Sequence, residues 1–262
     1  MLRSITERLA RRIVFQRRLP PAFGRRPLYV TPDSALGYLK PGFAGFSDLI
    51  EMAAGYVTEG DCVWDIGANV GLFSLLAAHR AGEGGSVVSV EADPVLAALI
   101  QKTVSLPRNA DRMINVLCAA VSDRTGISEF RIAARGRSSS HLQVARHRSQ
   151  TGGTRYTHFV PTTTLDDMQA VFLPPTFIKI DVEGAELLVL QGGLRLLEET
   201  RPTIYIEVSD KESASVSELL LSFGYQLFDG TQPIVGQKAG QRCVFNTLAI
   251  PPRERQHQAD AA

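Results

Sequence analysis

The run Val63-Trp64-Asp65-Ile66-Gly67-Ala68-Asn69-Val70-Gly71 constrains this chain more than any other stretch. It reads as a buried strand, then a turn of small residues, then a helix that begins at Leu72-Phe73-Ser74. Asp65, Gly67 and Gly71 fall where the backbone must bend sharply and approach a ligand closely. A second apolar run, Gly85 to Val90, ends in Glu91, twenty residues beyond Gly71. A glycine turn with an acid at the next strand end points to a nucleoside-bearing cofactor at the carboxyl edge of a parallel sheet.

The rest of the chain repeats that unit. Strands are expected at 62–66, 86–91, 115–121, 176–180 and 203–208, with a closing pair at 225–228 and 243–250. Helices are expected at 72–80, from Asp93-Pro94 onward, at 185–199 and at 215–223. Asp93 serves as N-cap and Pro94 as first-turn proline, and Arg201-Pro202 stops the helix before it. Alternation of this kind gives an α/β fold, a mostly parallel sheet with helices on both faces. Residues 51–252 form that domain, with an insert at 124–165. Within the insert, 128–133 and 156–160 are expected to pair as a hairpin. Residues 1–50 read as a basic helical extension and 253–262 as a frayed polar tail.

The net charge of +1 argues against a general nucleic-acid binder, but charge is unevenly spread. Residues 1–30 carry eight arginines and one acid, and Leu2, Ile5, Leu9 and Ile13 recur at helical spacing among them. A terminal helix packed on the domain or partly disordered is the first expectation, and weak contact with an anionic membrane surface the second. Between Glu129 and Asp166 there are six arginines, three histidines and no acid. Arg135, Arg137, Arg146, Arg148 and Arg155 suit either a solvated mobile loop or a clamp for an anionic acceptor. Cys62, Cys118 and Cys243 lie in apolar runs without a CxxC or Cys/His cluster, so no zinc site is expected and core thiols in the cytoplasm are.

The turn at 65–71 departs from the dinucleotide pattern G-x-G-x-x-G. Position 70 is Val, and the carboxylate at 65 would repel a pyrophosphate but suits a cationic ammonium. That favours S-adenosylmethionine over NAD. An NAD-dependent oxidoreductase and a non-catalytic module that keeps the cofactor fold are the alternatives. A second acidic constellation, Lys179, Asp181 and Glu183, ends the strand at 176–180, and Glu207 ends the next one. The carboxyl ends of central strands line the ligand crevice, so Asp181, Glu183 and Glu207 are the candidate bases for activating an acceptor hydroxyl. Asp181 comes first, and His141 is the alternative if the insert folds over the site. A metal bridging Asp181 and Glu207 has only weak support.

These stretches together, with Val160–Asp167 (VPTTTLDD), IKIDVEGAE at 178–186 and RPTIYIE at 201–207, resemble the FkbM family of S-adenosylmethionine-dependent methyltransferases over roughly residues 55–225. The resemblance implies a class I methyltransferase fold, a seven-stranded sheet with one antiparallel strand. It also implies O-methylation of a hydroxyl on a sugar, glycan or secondary metabolite. By similarity, Asp65, Gly67, Asn69 and Gly71, with Ala68 in the same turn, contact the methionine end of the cofactor and Glu91 the ribose. Ala92 and Asp93 lie near the adenosine, and Ser122 and Asp123 near the adenine. The chain departs from the family where Val90 stands in place of a frequent aromatic and Pro94 comes one place late.

Overall fold

The computed structural model describes residues 13–133, 137, 140–142 and 153–252. The chain opens with a two-stranded antiparallel hairpin, β1 (Phe15–Arg18) and β2 (Pro27–Val30), followed by short 3-10 turns and helix α1 (Ser47–Tyr56). There follow β3 (Cys62–Ile66), α2 (Leu72–Ala81), β4 (Ser86–Val90), α3 (Pro94–Val104) and β5 (Met113–Leu117). Then come β6 (Ala120–Val121), β7 (Gly126–Ala133), β8 (His141–Leu142), β9 (Thr154–Thr163) and α4 (Leu165–Met168). The last elements are β10 (Phe177–Ile180), α5 (Glu186–Gln191), β11 (Thr203–Glu207), α6 (Ser213–Ser222), β12 (Gln226–Asp229) and β13 (Asn246–Ile250).

Seven strands form the main sheet in the order β12-β13-β11-β10-β3-β4-β5. All neighbours are parallel except β13, which runs antiparallel to both β11 and β12. Every residue of β3 and β4 is buried, as expected of central parallel strands covered on both faces. Alternation along the strands sorts their side chains. Val63 and Phe177 pack with Leu72, Phe73 and Leu76 of α2 and with Leu19, Phe23, Leu28 and Tyr38 of the N-terminal segment. Trp64, Ile66, Ile178 and Ile180 face the other way, onto Val189, Leu190, Leu196, Val216 and Leu220. Asp65 and Lys179 therefore belong to the face roofed by the N-terminal segment and α2.

A second sheet, ordered β6-β9-β7-β8, carries the insert. The expected hairpin is there, with Ser128 opposite Val160 and Ile132 opposite Tyr156. Phe130, Ile132, Leu142 and Val160 give it a small core of its own with Ala120.

Four expectations need correction. The helix expected from Leu2 onward lies mostly outside the described residues, but it does not continue past Ile13. Phe15–Arg18 is a strand, paired with Pro27–Val30, and Arg17 anchors it by donating to the carbonyls of Tyr38 (2.6 Å) and Lys40 (2.9 Å) and lying over the Phe43 ring. The strand expected at 115–121 divides after Leu117, and Ala120–Val121 leaves the main sheet to pair with β9. Cys118, at that break, is exposed rather than a core thiol. The helix expected at 185–199 breaks at Gly192-Gly193 and resumes in a π-helical turn, Leu196–Thr200. Among the described residues no helix is long and apolar enough to cross a membrane.

Gly192 shows how closely the two sheets meet. Its φ of −78° suits any residue, yet a Cβ there would sit 2.1 Å from the Ser122 carbonyl oxygen. Gly192→Ala is therefore expected to cost about 1–3 kcal/mol through overpacking, seen as a melting temperature lower by roughly 2–4 °C per kcal/mol. An unchanged thermal melt would contradict this packing.

Candidate active site

The turn after β3 is held by the neighbouring strand. The amides of Gly67 and Ala68 both donate to the Val90 carbonyl, at 3.0 and 2.9 Å. Gly67 has φ +81°, and a Cβ there would lie 1.8 Å from the Asp181 carbonyl oxygen, so only glycine lets β3 and β10 end side by side. Asn69 adopts φ +57°, and its amide donates to Glu91 Oε2 at 2.7 Å. The other oxygen, Glu91 Oε1, accepts from the Asp93 amide at 2.7 Å. Burial pushes the Glu91 carboxyl up to about 8 against the pull of these two amides.

Two cavities meet beneath this turn. The first is lined by Gly67, Asn69, Glu91 and Ala92, by the apolar Val90, Leu96, Ala120 and Val121, and by Phe130, Arg137, Ser140 and Leu142 of the insert. Asp181, Glu183 and Glu207 close its far end. The second, of about 260 Å³, lies under the N-terminal segment, between Tyr38, Phe46, Asp48 and Leu49 on one side and Lys179 and Tyr205 on the other. Gly67, Asn69, Asp181 and Glu207 line both.

The first cavity has the acceptors and walls a nucleoside cofactor requires. Each Glu91 oxygen has a further lone pair for a ribose diol, and apolar side chains stand on either side for a planar base. Asn69 Oδ1 is buried without a hydrogen-bond partner in the chain, an unmet acceptor suited to an ammonium. S-Adenosylmethionine fits this set.

Several site residues expected from sequence lie outside the cavity lining. Asp65 is fully buried. Its Oδ2 accepts from Ser74 at 2.5 Å, and its Oδ1 lies 3.4 Å from the Lys179 ammonium. Gly71 caps α2 and packs on Ile100. Ala68 lines the second cavity instead of the first. Asp93 caps α3 through the Val95 amide (2.9 Å) and is buried against Arg137. Ser122 and Asp123 bond to each other, just beyond the last lining residue of β6. His141 is buried on β8 between Ser140 and Leu142, which do line the cavity, while its own side chain does not.

The arginines of the insert answer the question left open by its composition. Arg137 donates to Asp33 (2.9 Å), to Asp93 and to the Tyr156 hydroxyl (2.6 Å), and Arg155 grips Asp33 with both terminal nitrogens. Against the pull of burial, the two guanidiniums hold the Asp33 carboxyl below its ordinary range. These two side chains are neither solvated nor a free anion clamp: they fasten the insert over the first cavity. Arg135, Arg146 and Arg148 lie outside the described residues.

Lys179, which the sequence sets beside Asp181 and Glu183 without a role, lines the second cavity. Its ammonium is buried 3.4 Å from Asp65, 3.3 Å from Asp181 and 3.4 Å from the Gly67 carbonyl. Burial opposes its charge, but Asp181 and Asp65 more than compensate and hold it above the ordinary lysine range. The acids around it behave oppositely. Burial and the charge of Asp181 push both Glu183 and Glu207 up to about 7, with Lys179 pulling Glu207 back. Glu183 also sits at φ +55°, a strained backbone for a residue with a Cβ. Among the described residues no group of three or more His, Cys, Asp or Glu converges on a metal position.

Residues 65–227 match the family model described as the Methyltransferase FkbM domain. The crystal structure of the FkbM methyltransferase from Methylobacillus flagellatus KT shares the fold at 17% identity and a TM-score of 0.50, over 80% of this chain and 50% of that one. This chain thus spans half the length of that relative. More remote is the precorrin-6y C5,15-methyltransferase from Geobacter metallireducens GS-15, at 12% identity and a TM-score of 0.45, over 74% of this chain and 78% of that one. The Aeropyrum pernix fibrillarin, solved with bound S-adenosyl-L-methionine, stands at 13% identity and 0.39, over 66% and 60%. No curated protein matches the chain significantly.

The carboxyls at 91, 183 and 207 make stability depend on pH. Each has a folded-state pKa of about 7–8, above the ordinary 4.5, so between those values the folded protein holds more protons than the unfolded chain. Stability is therefore expected to fall as pH rises from 6 to 8 in cofactor-free protein. The melting temperature should drop over that interval, and drop less in Glu183→Gln. A melting temperature that rises instead would contradict the burial assigned to these groups.

Proposed function

The chain belongs to the FkbM family of S-adenosylmethionine-dependent methyltransferases, and from that premise we propose that it methylates a hydroxyl oxygen of a sugar, glycan or secondary metabolite. The family match displaces the NAD-oxidoreductase alternative. The observation that carries the hydroxyl reading is the junction of the two cavities, where Asp181 and Glu207 stand together.

S-Adenosylmethionine, when bound, supplies a methyl group on a sulfonium, whose S–C bond breaks as the new O–C bond forms. The protein's share of the work is to hold the acceptor oxygen at the junction and to take its proton. Positioning alone is worth up to about 7–11 kcal/mol in well-oriented reactions. An aliphatic hydroxyl is a weak nucleophile at neutral pH, so a base beside it contributes further, by about 10²–10⁴-fold.

Of the three carboxyls foreseen for that task, Glu207 is the best matched. It lines both cavities, and burial has raised it to about 7, near the pH at which it must accept a proton. Asp181 also lines both, but its Oδ2 is engaged by Lys179 at 3.3 Å, which leaves it to orient the hydroxyl. Glu183 faces the first cavity only. Lys179, kept protonated, steadies Asp181 and cannot itself serve as base.

Glu207→Gln is expected to lower the single-turnover rate of methyl transfer by about 10²–10⁴-fold while affinity for S-adenosylhomocysteine is retained. In the wild-type protein kcat/KM should climb with pH and level off above about 7, a rise that Glu207→Gln abolishes. Full activity in this variant would remove Glu207 from the reaction. Transfer to nitrogen or carbon rather than oxygen would overturn the hydroxyl reading itself.

A further inference from the structure

The second cavity is distinct in chemistry from the first. Its roof comes from irregular turns and the start of α1, where Tyr38 and Phe46 stack at 4.3 Å between ring centroids. Its floor carries Lys179 and Tyr205, which are register neighbours on β10 and β11. Asp48 stands at the rim, and Asp181 and Glu207 at the junction with the cofactor cavity. No arginine lines it among the described residues, and its one cation is already taken up by Asp65 and Asp181.

Resting on the O-methyltransferase reading above, we propose that this cavity is the acceptor site and that its occupant is a polyhydroxylated ring of about monosaccharide size that carries no negative charge. Three observations carry the assignment. The cavity opens onto the junction, so an oxygen at its inner end reaches Asp181 and Glu207. Aromatic faces offer apolar surface to the carbon-bound hydrogens of such a ring, while Asp48, Asp181 and Glu207 accept from its hydroxyls. A phosphate or carboxylate would meet three acids and no spare cation, so anionic acceptors are excluded by repulsion as well as by missing contacts. Acceptor choice then belongs to the N-terminal segment rather than to Arg137 and Arg155 of the insert, which are spent on Asp33 and Asp93.

The test uses full-length protein loaded with S-adenosylhomocysteine. It is titrated calorimetrically with a panel of methyl glycosides, with the same glycosides as phosphate esters, as uronic acids and as amino sugars. Each compound is also assayed for methyl turnover with S-adenosylmethionine. Heat and turnover are expected with the methyl glycosides and the amino sugars, and with neither anionic set. Leu49→Trp, which fills the cavity from the roof, should weaken acceptor binding at least tenfold while changing the S-adenosylhomocysteine Kd by less than twofold. Asp48→Lys should admit the phosphate esters that the wild type rejects. Preference for a phosphorylated or carboxylated member, absence of binding in every class, or binding untouched by Leu49→Trp would overturn the assignment. Hydroxyl methylation of an anionic member would do so while leaving the O-methyltransferase reading intact.

Discussion

The Lys179 ammonium is buried at the centre of the molecule, within 3.4 Å of the Asp65 carboxylate, the Asp181 carboxylate and the Gly67 carbonyl. Those partners belong to the ends of β3 and β10 and to the turn between β3 and α2, so one cation ties together the backbone that shapes both cavities. Asp65 extends the arrangement sideways, through Ser74 to Ser89 on β4. Such a buried pair is weak evidence of stability, because desolvation offsets much of its attraction. Breaking it is a different matter, since removing one partner leaves an uncompensated buried charge at a cost of about 3–5 kcal/mol. Its value lies in specificity: β3 and β10 can end in only one register with Lys179 opposite Asp65.

Around that centre the site is closed by two additions to the sheet. The N-terminal segment covers the second cavity, and its Asp33 is gripped by Arg137 and Arg155 of the insert. Arg137 also reaches Asp93, the cap of α3, two residues beyond Glu91. A cofactor cavity built at the strand ends is thereby walled by Phe130, Ser140 and Leu142, which the central fold alone would not provide. The two cavities keep separate characters, one with apolar walls around Glu91, the other aromatic and acidic.

Much of this was legible in the sequence, because the informative residues are close together along it. Gly67, Asn69 and Glu91 announce a strand-to-helix turn and a facing acid by spacing alone, and the structure joins them through the Asn69 amide. Asp181 and Glu207 announce themselves as acids at apolar strand ends. Lys179 stands beside Asp181 in sequence, but its role stays hidden until register sets it between Asp65 and Tyr205. The insert misled for a related reason. Arg137 and Arg155 have no acid nearby in sequence, so they read as available, yet both bind Asp33, which lies 104 residues from Arg137. The roof of the second cavity had no periodic signal at all, being built from turns around Gly37, Pro41 and Gly45. Phe15–Arg18 was hidden by the helical spacing of the residues before it.

A crystal structure of the protein with S-adenosylhomocysteine tests this arrangement of the two cavities directly. The ribose hydroxyls are expected on Glu91, the adenine against Phe130 and Leu142, and the sulfur at the junction, facing the second cavity past Asp181 and Glu207. A nucleoside in the second cavity, or a sulfur turned away from Asp181 and Glu207, would contradict it.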